Sequence, residues 1–557
     1  MANEWSPTQA RRGTAKHPRK DDKVFTYGTA GFRARADTLD PVLYRSGLVA
    51  VLRSMSKKAA VGVMITASHN PECDNGVKLI DPMGEMLQVS WEKYVSDIVN
   101  VRDDEISDAL QKIIDEEKID TSQAAYIITG RDTRPSSCSL SQSLIDGVVA
   151  MGAEYKDYGL LTTPQLHYMV RCHNTGGRYG EPLEEGYYKK LSKAFLQLRQ
   201  KVTPEFQIPI GEGGYKNEIF LDGANGVGAL KVQQLLKHLD DALKITVCND
   251  GSQGKLNENC GADYVKLHQG APKGLIPEAG AKCISFDGDA DRILYFYKDG
   301  NGKFQLLDGD KIATLIASFI KELVSEVGLS LNLGVVQTAY ANGSSTRYLE
   351  DEMKVPVACV PTGVKHLHRK AEEFDVGIYF EANGHGTVLF SQDAEEKIRA
   401  ASKDGSLSSE KRLAAESLSS LIDLTNQTVG DALADMLLVE TILFARHWDV
   451  SDWNSAYTDL PNRQLKVKVK DRTIIHTTDA ERRTTSPAGL QDAIDELVKK
   501  YTKARSFVRP SGTEDIVRVY AEADTQENTD MLAYEVSLKV FQLAQGIGDP
   551  PQPPAGK

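Results

Sequence analysis

Ala60-Val61-Gly62-Val63-Met64-Ile65-Thr66-Ala67-Ser68-His69-Asn70-Pro71 opens as an apolar run and closes as a polar turn. The run predicts a short buried strand over 60–66. Pro71 and the Asp74-Asn75-Gly76 cluster stop it, because proline cannot donate to a ladder and such clusters favour turns. Ser68 is thereby presented on a turn at a strand's end, where α/β sheets keep their chemistry. Taken alone, Ser-His-Asn reads as a turn whose hydroxyl caps the next helix. Its meaning depends on what surrounds it.

On the N-terminal side, Asp40-Pro41 predicts an N-cap and N1 pair opening a helix with apolar Leu48, Val49, Val51, Leu52 and Met55. On the other side, a strand at Tyr126-Ile127-Ile128-Thr129 runs into Gly130-Arg131-Asp132-Thr133-Arg134-Pro135, followed by a helix near 138–151. Helix, strand, helix, strand predicts an α/β unit with a mostly parallel sheet. Residues 172–190 read as a connecting excursion before a helix near 190–200. A second α/β unit starts at Glu218-Ile219-Phe220-Leu221-Asp222. Gly223, Gly226 and Gly228 follow, a spacing that does not match the dinucleotide fingerprint. A third unit has a helix near 308–326 and strands at 333–337, 355–360 and 376–380. The charged, Ser-rich stretch 391–420 reads as a surface helix plus a flexible loop. Later, Leu465, Val467 and Val469 alternate with polar residues, and Val517 and Val519 flank Arg518. That period predicts an antiparallel sheet, and a helix at 488–501 makes this last region α+β.

The chain has 557 residues, too many for one core, and length alone predicts roughly three to five domains. The expected partition is a flexible segment 1–23, α/β domains at 24–190, 191–300 and 301–446, an α+β domain at 447–545, and a disordered Pro-rich tail 546–557. A net charge of −12 argues against non-specific nucleic-acid binding. Seven scattered cysteines, none in Cys-x-x-Cys spacing, fit a reducing compartment and argue against a disulfide framework or a zinc site. Residues 1–23 carry Arg11, Arg12, Lys16, Arg19 and Lys20 among their cations but no apolar core, so no secretory signal is expected. With no run of about 18 apolar residues, neither is a membrane span. The expected location is the cytoplasm.

Four further sets of residues carry chemistry. Asp287-Gly288-Asp289-Ala290-Asp291-Arg292 places three carboxylates at alternate positions, which a turn brings onto one hard divalent cation. An EF-hand fails, because loop position 6 is Arg292 and position 12 is Lys298. Three protein oxygens leave open coordination sites, which suits Mg²⁺. Arg509-Pro510-Ser511-Gly512-Thr513-Glu514 joins a guanidinium to two hydroxyls and a glycine, the makings of a phosphate clamp or of an ordinary turn. Glu381-Ala382-Asn383-Gly384-His385 offers three side chains for sugar hydroxyls or a proton. Gly28-Thr29-Ala30-Gly31-Phe32-Arg33 adds a glycine-rich turn beside a cation. His366 and His368 fall in a predicted basic helix and read as solvated surface.

On these residues the chain resembles the α-D-phosphohexomutases over roughly 24–545, one motif per domain and in family order. Thr66–Pro71 matches the phosphoserine loop, Asp287–Arg292 the metal loop, Glu381–His385 the sugar loop and Arg509–Glu514 the phosphate loop. The resemblance implies three α/β domains with mixed sheets and a smaller α+β C-terminal domain around a central cleft. It implies that Ser68 carries a phosphoryl group, and that Asp287, Asp289, Asp291 and this phosphate hold Mg²⁺. By similarity Arg33, Lys78 and His385 surround the reacting hydroxyl. A lysine beside a cation is expected to have a lowered pKa and to serve as acid or base. Substrate binding is carried over to Thr362, Gly363, Glu381, Asn383, His385, Arg509, Ser511, Gly512 and Thr513.

Glucose and mannose mutases of this superfamily show Gly-Glu-x-Ser in the sugar loop. Here Phe380 precedes Glu381 and Asn383 replaces the serine, an amide suited to an N-acetyl group or to a hydroxyl. Asp81-Pro82-Met83-Gly84-Glu85-Met86-Leu87 also resembles the acetylglucosamine branch. The implied reaction interconverts N-acetylglucosamine 6-phosphate and 1-phosphate through a hexose 1,6-bisphosphate, on the route to UDP-N-acetylglucosamine. Its partners are small sugar phosphates. The alternatives are the same chemistry on glucose or mannose phosphates, or a silent sugar-phosphate sensor. A serine hydrolase is not supported, for Ser68 lacks a Gly-x-Ser-x-Gly elbow.

Overall fold

The computed structural model describes residues 7–20, 23–28, 31–202, 214–511 and 515–554. They form two compact units. The first comprises 1–308 with 383–388 and 398–451, the second 309–382, 389–397 and 452–557.

The first unit holds two five-stranded sheets. One runs Phe32–Arg35, Asp74–Ile80, Val61–Ile65, Tyr126–Arg131, Glu154–Leu160. Its last three strands are parallel, but Asp74–Ile80 is antiparallel to both of its neighbours. The mostly parallel sheet expected from helix–strand alternation is therefore mixed, because the loop 66–73 is too short for a crossover and returns the chain as a hairpin. The second sheet runs Phe304–Leu307, Ile293–Lys298, Cys283–Phe286, Glu218–Asp222, Lys244–Cys248. Strand Cys283–Phe286 ends where the acidic triplet begins, as strand Val61–Ile65 ends where the serine loop begins.

Helices Asp40–Lys57 and Ser137–Ala150 back the first sheet. They cross at two glycines. A Cβ on Gly147 would lie 2.1 Å from the Tyr44 carbonyl oxygen, and one on Gly47 2.5 Å from that of Leu144. Gly147→Ala is expected to cost about 1–3 kcal/mol by forcing these helices apart. The measurement is a lower midpoint in thermal and urea unfolding, with kcat retained by the folded fraction.

The helix starts at Asp40 itself, with Leu39 as N-cap, so the predicted Asp40 cap is corrected. The Asp40 carboxylate is used elsewhere, accepting from Ser143 Oγ at 2.5 Å and lying 3.0 Å from His17 Nδ1. His17 is buried, and its Nε2 is 3.0 Å from Asp146. Segment 1–23, read as flexible, thus contains a helix, Pro7–Thr14, and a histidine seated between two carboxylates.

In the second unit Leu333–Thr338 pairs in parallel with Val357–Val360 and Val376–Phe380. Asn462–Lys468, Ile516–Glu522 and Arg505–Pro510 form an antiparallel sheet. Leu465 lies opposite Val519 and Val467 opposite Val517, a register that the structure adds to the predicted antiparallel strands. Helices Leu490–Val498 and Gln526–Leu543 cover its apolar face through Ile494, Leu532 and Val536.

Two local readings are corrected. Residues 391–420 span two helices, Gln392–Ala401 and Ser409–Leu424, and the second buries Leu418 and Leu421. His368 is buried rather than solvated, its Nδ1 3.1 Å from Tyr379 Oη, while His366 on the same helix is exposed.

Candidate active site

Ser68 stands in left-handed backbone, φ +51°, and its side chain is buried. A non-glycine residue there costs about 1 kcal/mol or more, so something must hold it. Thr66 Oγ1 accepts the Ser68 N–H at 2.9 Å and donates to Asp132 at 2.7 Å. Arg134, fully buried, pairs with Asp132 and donates to the carbonyls of Ser68, Asn70, Pro71 and Asp74. Asn257 Nδ2 bonds the Ser68 and Asn70 carbonyls from another loop at 2.8 and 3.0 Å. So braced, the loop sends Ser68 Oγ to Asp287 Oδ2, 2.7 Å away. His69 Nδ1 is 3.5 Å from the same hydroxyl, and burial, with Arg292 and Arg33 nearby, holds His69 neutral.

The acidic triplet turns at Ala290, φ +55°. One oxygen from each of Asp287, Asp289 and Asp291 then lies within 4.8 Å of the others, all three residues being buried. The glycines that failed the dinucleotide pattern pack against this turn: a Cβ on Gly226 would meet the Gly288 carbonyl at 2.5 Å, and one on Gly228 the Ala290 Cβ at 2.8 Å. Gly288 in turn abuts the serine loop, where a Cβ would sit 2.6 Å from the Ser68 carbonyl.

Lys78 Nζ lies 3.0 Å from Asp289 and 3.1 Å from Asp291. Burial alone would lower its pKa, but these two carboxylates outweigh burial and raise it. The expected lowered lysine pKa is thus reversed, and Lys78 is held as a cation. Arg33 is the group pulled down, by burial and by Arg292. Burial, with Asp291 and Asp289, pushes the Asp287 carboxyl well above the usual range. Burial would raise Asp291 too, but Lys78 and His385 hold it well below. His385 Nδ1 is 3.5 Å from Asp291 Oδ1, and its Nε2 is buried with no hydrogen-bond partner among the described residues. Asn383 Oδ1 accepts the His385 N–H at 3.0 Å across Gly384, whose φ of +89° and contact with Ile293 admit no side chain.

Asp289 Oδ1 is buried without a hydrogen-bond partner among the described residues, and Asp291 Oδ1 has long contacts to His385 and Arg292, at 3.5 and 3.8 Å. Carboxylate oxygens left so weakly satisfied on converging residues fit a hard cation. Thr163, at the start of helix Thr163–Asn174, keeps the Asp289 oxygens distinct: its hydroxyl and Lys78 share Oδ2, at 2.6 and 3.0 Å, leaving Oδ1 available to a cation. Thr163→Val is expected to weaken Mg²⁺ binding about tenfold or more. Isothermal titration would measure it, with little change in the unfolding midpoint of the metal-free protein.

The remaining predicted residues lie in the second unit. Glu381 is half-buried just past strand Val376–Phe380. Thr362 and Arg509 are joined by Glu481: one Glu481 oxygen accepts Arg509 Nε at 2.8 Å, the other accepts Thr362 N and Oγ1 at 2.9 and 2.6 Å. Gly363, φ +133°, opens the helix Val364–Ala371. Ser511 is buried, its N–H donating to the Ile516 carbonyl at 2.8 Å. Gly512 and Thr513 of the clamp, and Thr29 and Ala30 beside Arg33, lie outside the described residues.

A buried serine bonded to an acidic triplet, with Lys78, Arg33 and Arg292 close by, suits phosphoryl transfer, which needs alignment and charge neutralisation more than a strong base. Family profiles for the phosphoglucomutase/phosphomannomutase α/β/α domain I and C-terminal domain match residues 48–179 and 465–539, which sets the class as phosphohexomutase. Profiles described as phosphoacetylglucosamine mutase AMG1, domains II and III, match 184–294 and 308–448. The phosphoacetylglucosamine mutase of Sus scrofa is 58% identical, the match covering 97% of this chain and 98% of that one. An Aspergillus fumigatus N-acetylphosphoglucosamine mutase, solved with GlcNAc-6P and magnesium, superposes with a TM-score of 0.91 at 46% identity, covering 98% and 100% of the two chains. The same enzyme with a substituted serine, solved with glucose 1,6-bisphosphate, gives 0.90 at 45% identity and the same coverage. The chain belongs to the phosphoacetylglucosamine mutase family.

Proposed function

We propose that this protein interconverts N-acetylglucosamine 6-phosphate and N-acetylglucosamine 1-phosphate through phosphorylated Ser68 and an N-acetylglucosamine 1,6-bisphosphate. The observation that carries this is the 2.7 Å bond from Ser68 Oγ to the first of three converging buried carboxylates. The relatives' sugar-phosphate and magnesium complexes support it.

Asp287, Asp289 and Asp291, with the Ser68 phosphate, would hold Mg²⁺, whose chemistry is to neutralise the transferring group. Phospho-Ser68 gives its phosphoryl group to the sugar O1: the Ser68 O–P bond breaks and the O1–P bond forms. Lys78, fixed by Asp289 and Asp291, and Arg33 place positive charge beside that group. His385 Nε2 is assigned the O1 proton, because it is a buried ring nitrogen with no hydrogen-bond partner among the described residues. The bisphosphate then turns end for end and returns its 6-phosphate to Ser68. Arg509 and Ser511, with Gly512 and Thr513, clamp the phosphate that does not react, while Glu381 and Asn383 bind the sugar. The Mg²⁺ triplet, serine loop, sugar loop and clamp each belong to one of four domains over 24–545. The product is one activation step from UDP-N-acetylglucosamine, a cytoplasmic role.

The test pairs intact mass before and after phosphatase with a mutase assay in Mg²⁺ and trace bisphosphate. The expected result is one phosphate on Ser68 and turnover of N-acetylglucosamine 6-phosphate far above glucose 6-phosphate. Preference for glucose or mannose phosphate would move the specificity, and an unmodified Ser68 with no turnover would overturn the mechanism.

A further inference from the structure

We propose that Glu481 is a positioning residue that mounts the Arg509 guanidinium for phosphate and ties it to the Thr362 loop. This rests on the reading of Arg509 as part of the phosphate clamp.

Glu481 lies at the tip of a hairpin between strands His476–Thr478 and Arg483–Ser486. Asp479, Ala480 and Glu481 all stand in left-handed backbone, at φ +52°, +52° and +68°. Three successive non-glycine residues in that region are strained, and strain of this kind persists where the surroundings over-determine it. Here Arg482 secures the turn, donating from Nε to the Asp479 carbonyl at 3.1 Å and from a terminal nitrogen to its carboxylate at 2.6 Å. What the strained turn delivers is a carboxylate, 17% exposed, with three donors on it.

The choice of nitrogen matters. Glu481 takes Arg509 at Nε, the inner donor, and so fixes the plane of the guanidinium without consuming its terminal fork. That fork is the edge that pairs bidentately with phosphate. Thr362 spends both its backbone N–H and its hydroxyl on Glu481, which makes it part of the mount rather than a direct ligand of the sugar. A mutase whose bisphosphate turns end for end gains from such a mount. The sugar meets the clamp in two orientations, so the protein has to orient the arginine itself, before the ligand arrives.

Four variants test this: Glu481→Ala, Arg509→Ala, the pair, and Glu481→Gln. The expected result for Glu481→Ala is a rise of about tenfold in KM for N-acetylglucosamine 6-phosphate, with kcat and the phosphate content of Ser68 within twofold of the parent. Added to Arg509→Ala it should change nothing further, since the group it orients is gone. Glu481→Gln keeps the size, loses the charge, and is expected between the parent and Glu481→Ala. It serves as the readout if the alanine variant fails to fold. An unchanged KM in Glu481→Ala, or an effect additive with Arg509→Ala, overturns the inference and leaves the clamp intact. An unchanged KM in Arg509→Ala overturns the clamp reading itself, and the mount with it.

Discussion

Ser68→Ala is expected to lower turnover of N-acetylglucosamine 6-phosphate by on the order of 10⁶-fold, the scale seen when a covalent nucleophile is removed. The loss should be in kcat, because the sugar and clamp residues are untouched. Intact mass after incubation with bisphosphate should show no added phosphate, whereas the parent gains one. The fold should survive: Thr66, Arg134 and Asn257 brace the loop through the Ser68 backbone, not its hydroxyl. Alanine at φ +51° keeps the strain that serine already bears. A variant that retains even one part in a hundred of parental turnover would mean that the phosphoryl group passes through some other residue.

Asp287→Asn should come second, at about 10³-fold or more in kcat. It removes one of the charges that would hold the cation, and the hydroxyl's acceptor. The metal-free fold has reason to tolerate it. Burial and its two acidic neighbours push the Asp287 carboxyl toward its neutral form, which an amide imitates in shape. Its Oδ1 accepts the Asp291 and Arg292 N–H groups, a role an amide oxygen keeps. Saturating Mg²⁺ should therefore raise the thermal midpoint of the parent, by an amount corresponding to about 2.7 kcal/mol at 100 times Kd, and leave that of Asp287→Asn unmoved. A variant still stabilised by Mg²⁺ to the parental extent would exclude Asp287 as a ligand.

Much of this was legible in the sequence where local pattern and chemistry coincide. Strand Val61–Ile65 is an apolar run bounded by a proline turn, and the strands that carry Leu465, Val467, Val517 and Val519 follow from a period of two. The triplet at 287–291 declares itself because alternate aspartates have few other uses. What the sequence withheld is long-range pairing. Asn257 reaches a loop 189 residues away, and Arg134 spends itself on four carbonyls that carry no side-chain signature. Glu481 sits in an ordinary charged stretch, and only its partners single it out. Lys78 shows how composition misleads: its neighbour in the motif reading was a cation, yet two carboxylates decide its charge. The glycines at 226 and 228 fail the dinucleotide pattern, and their reason lies across the fold, against Gly288 and Ala290.

The brace around Ser68 bears on how the enzyme is first switched on. A protein kinase draws its target into an extended strand, several residues long and open to solvent. Ser68 is buried in a left-handed turn whose carbonyl is bonded from two sides, by Arg134 and by Asn257. Offering that peptide to a kinase would mean unfolding the loop. On the proposed mechanism the priming phosphate would instead come from a donor small enough to reach Ser68 in the folded loop, such as a sugar bisphosphate.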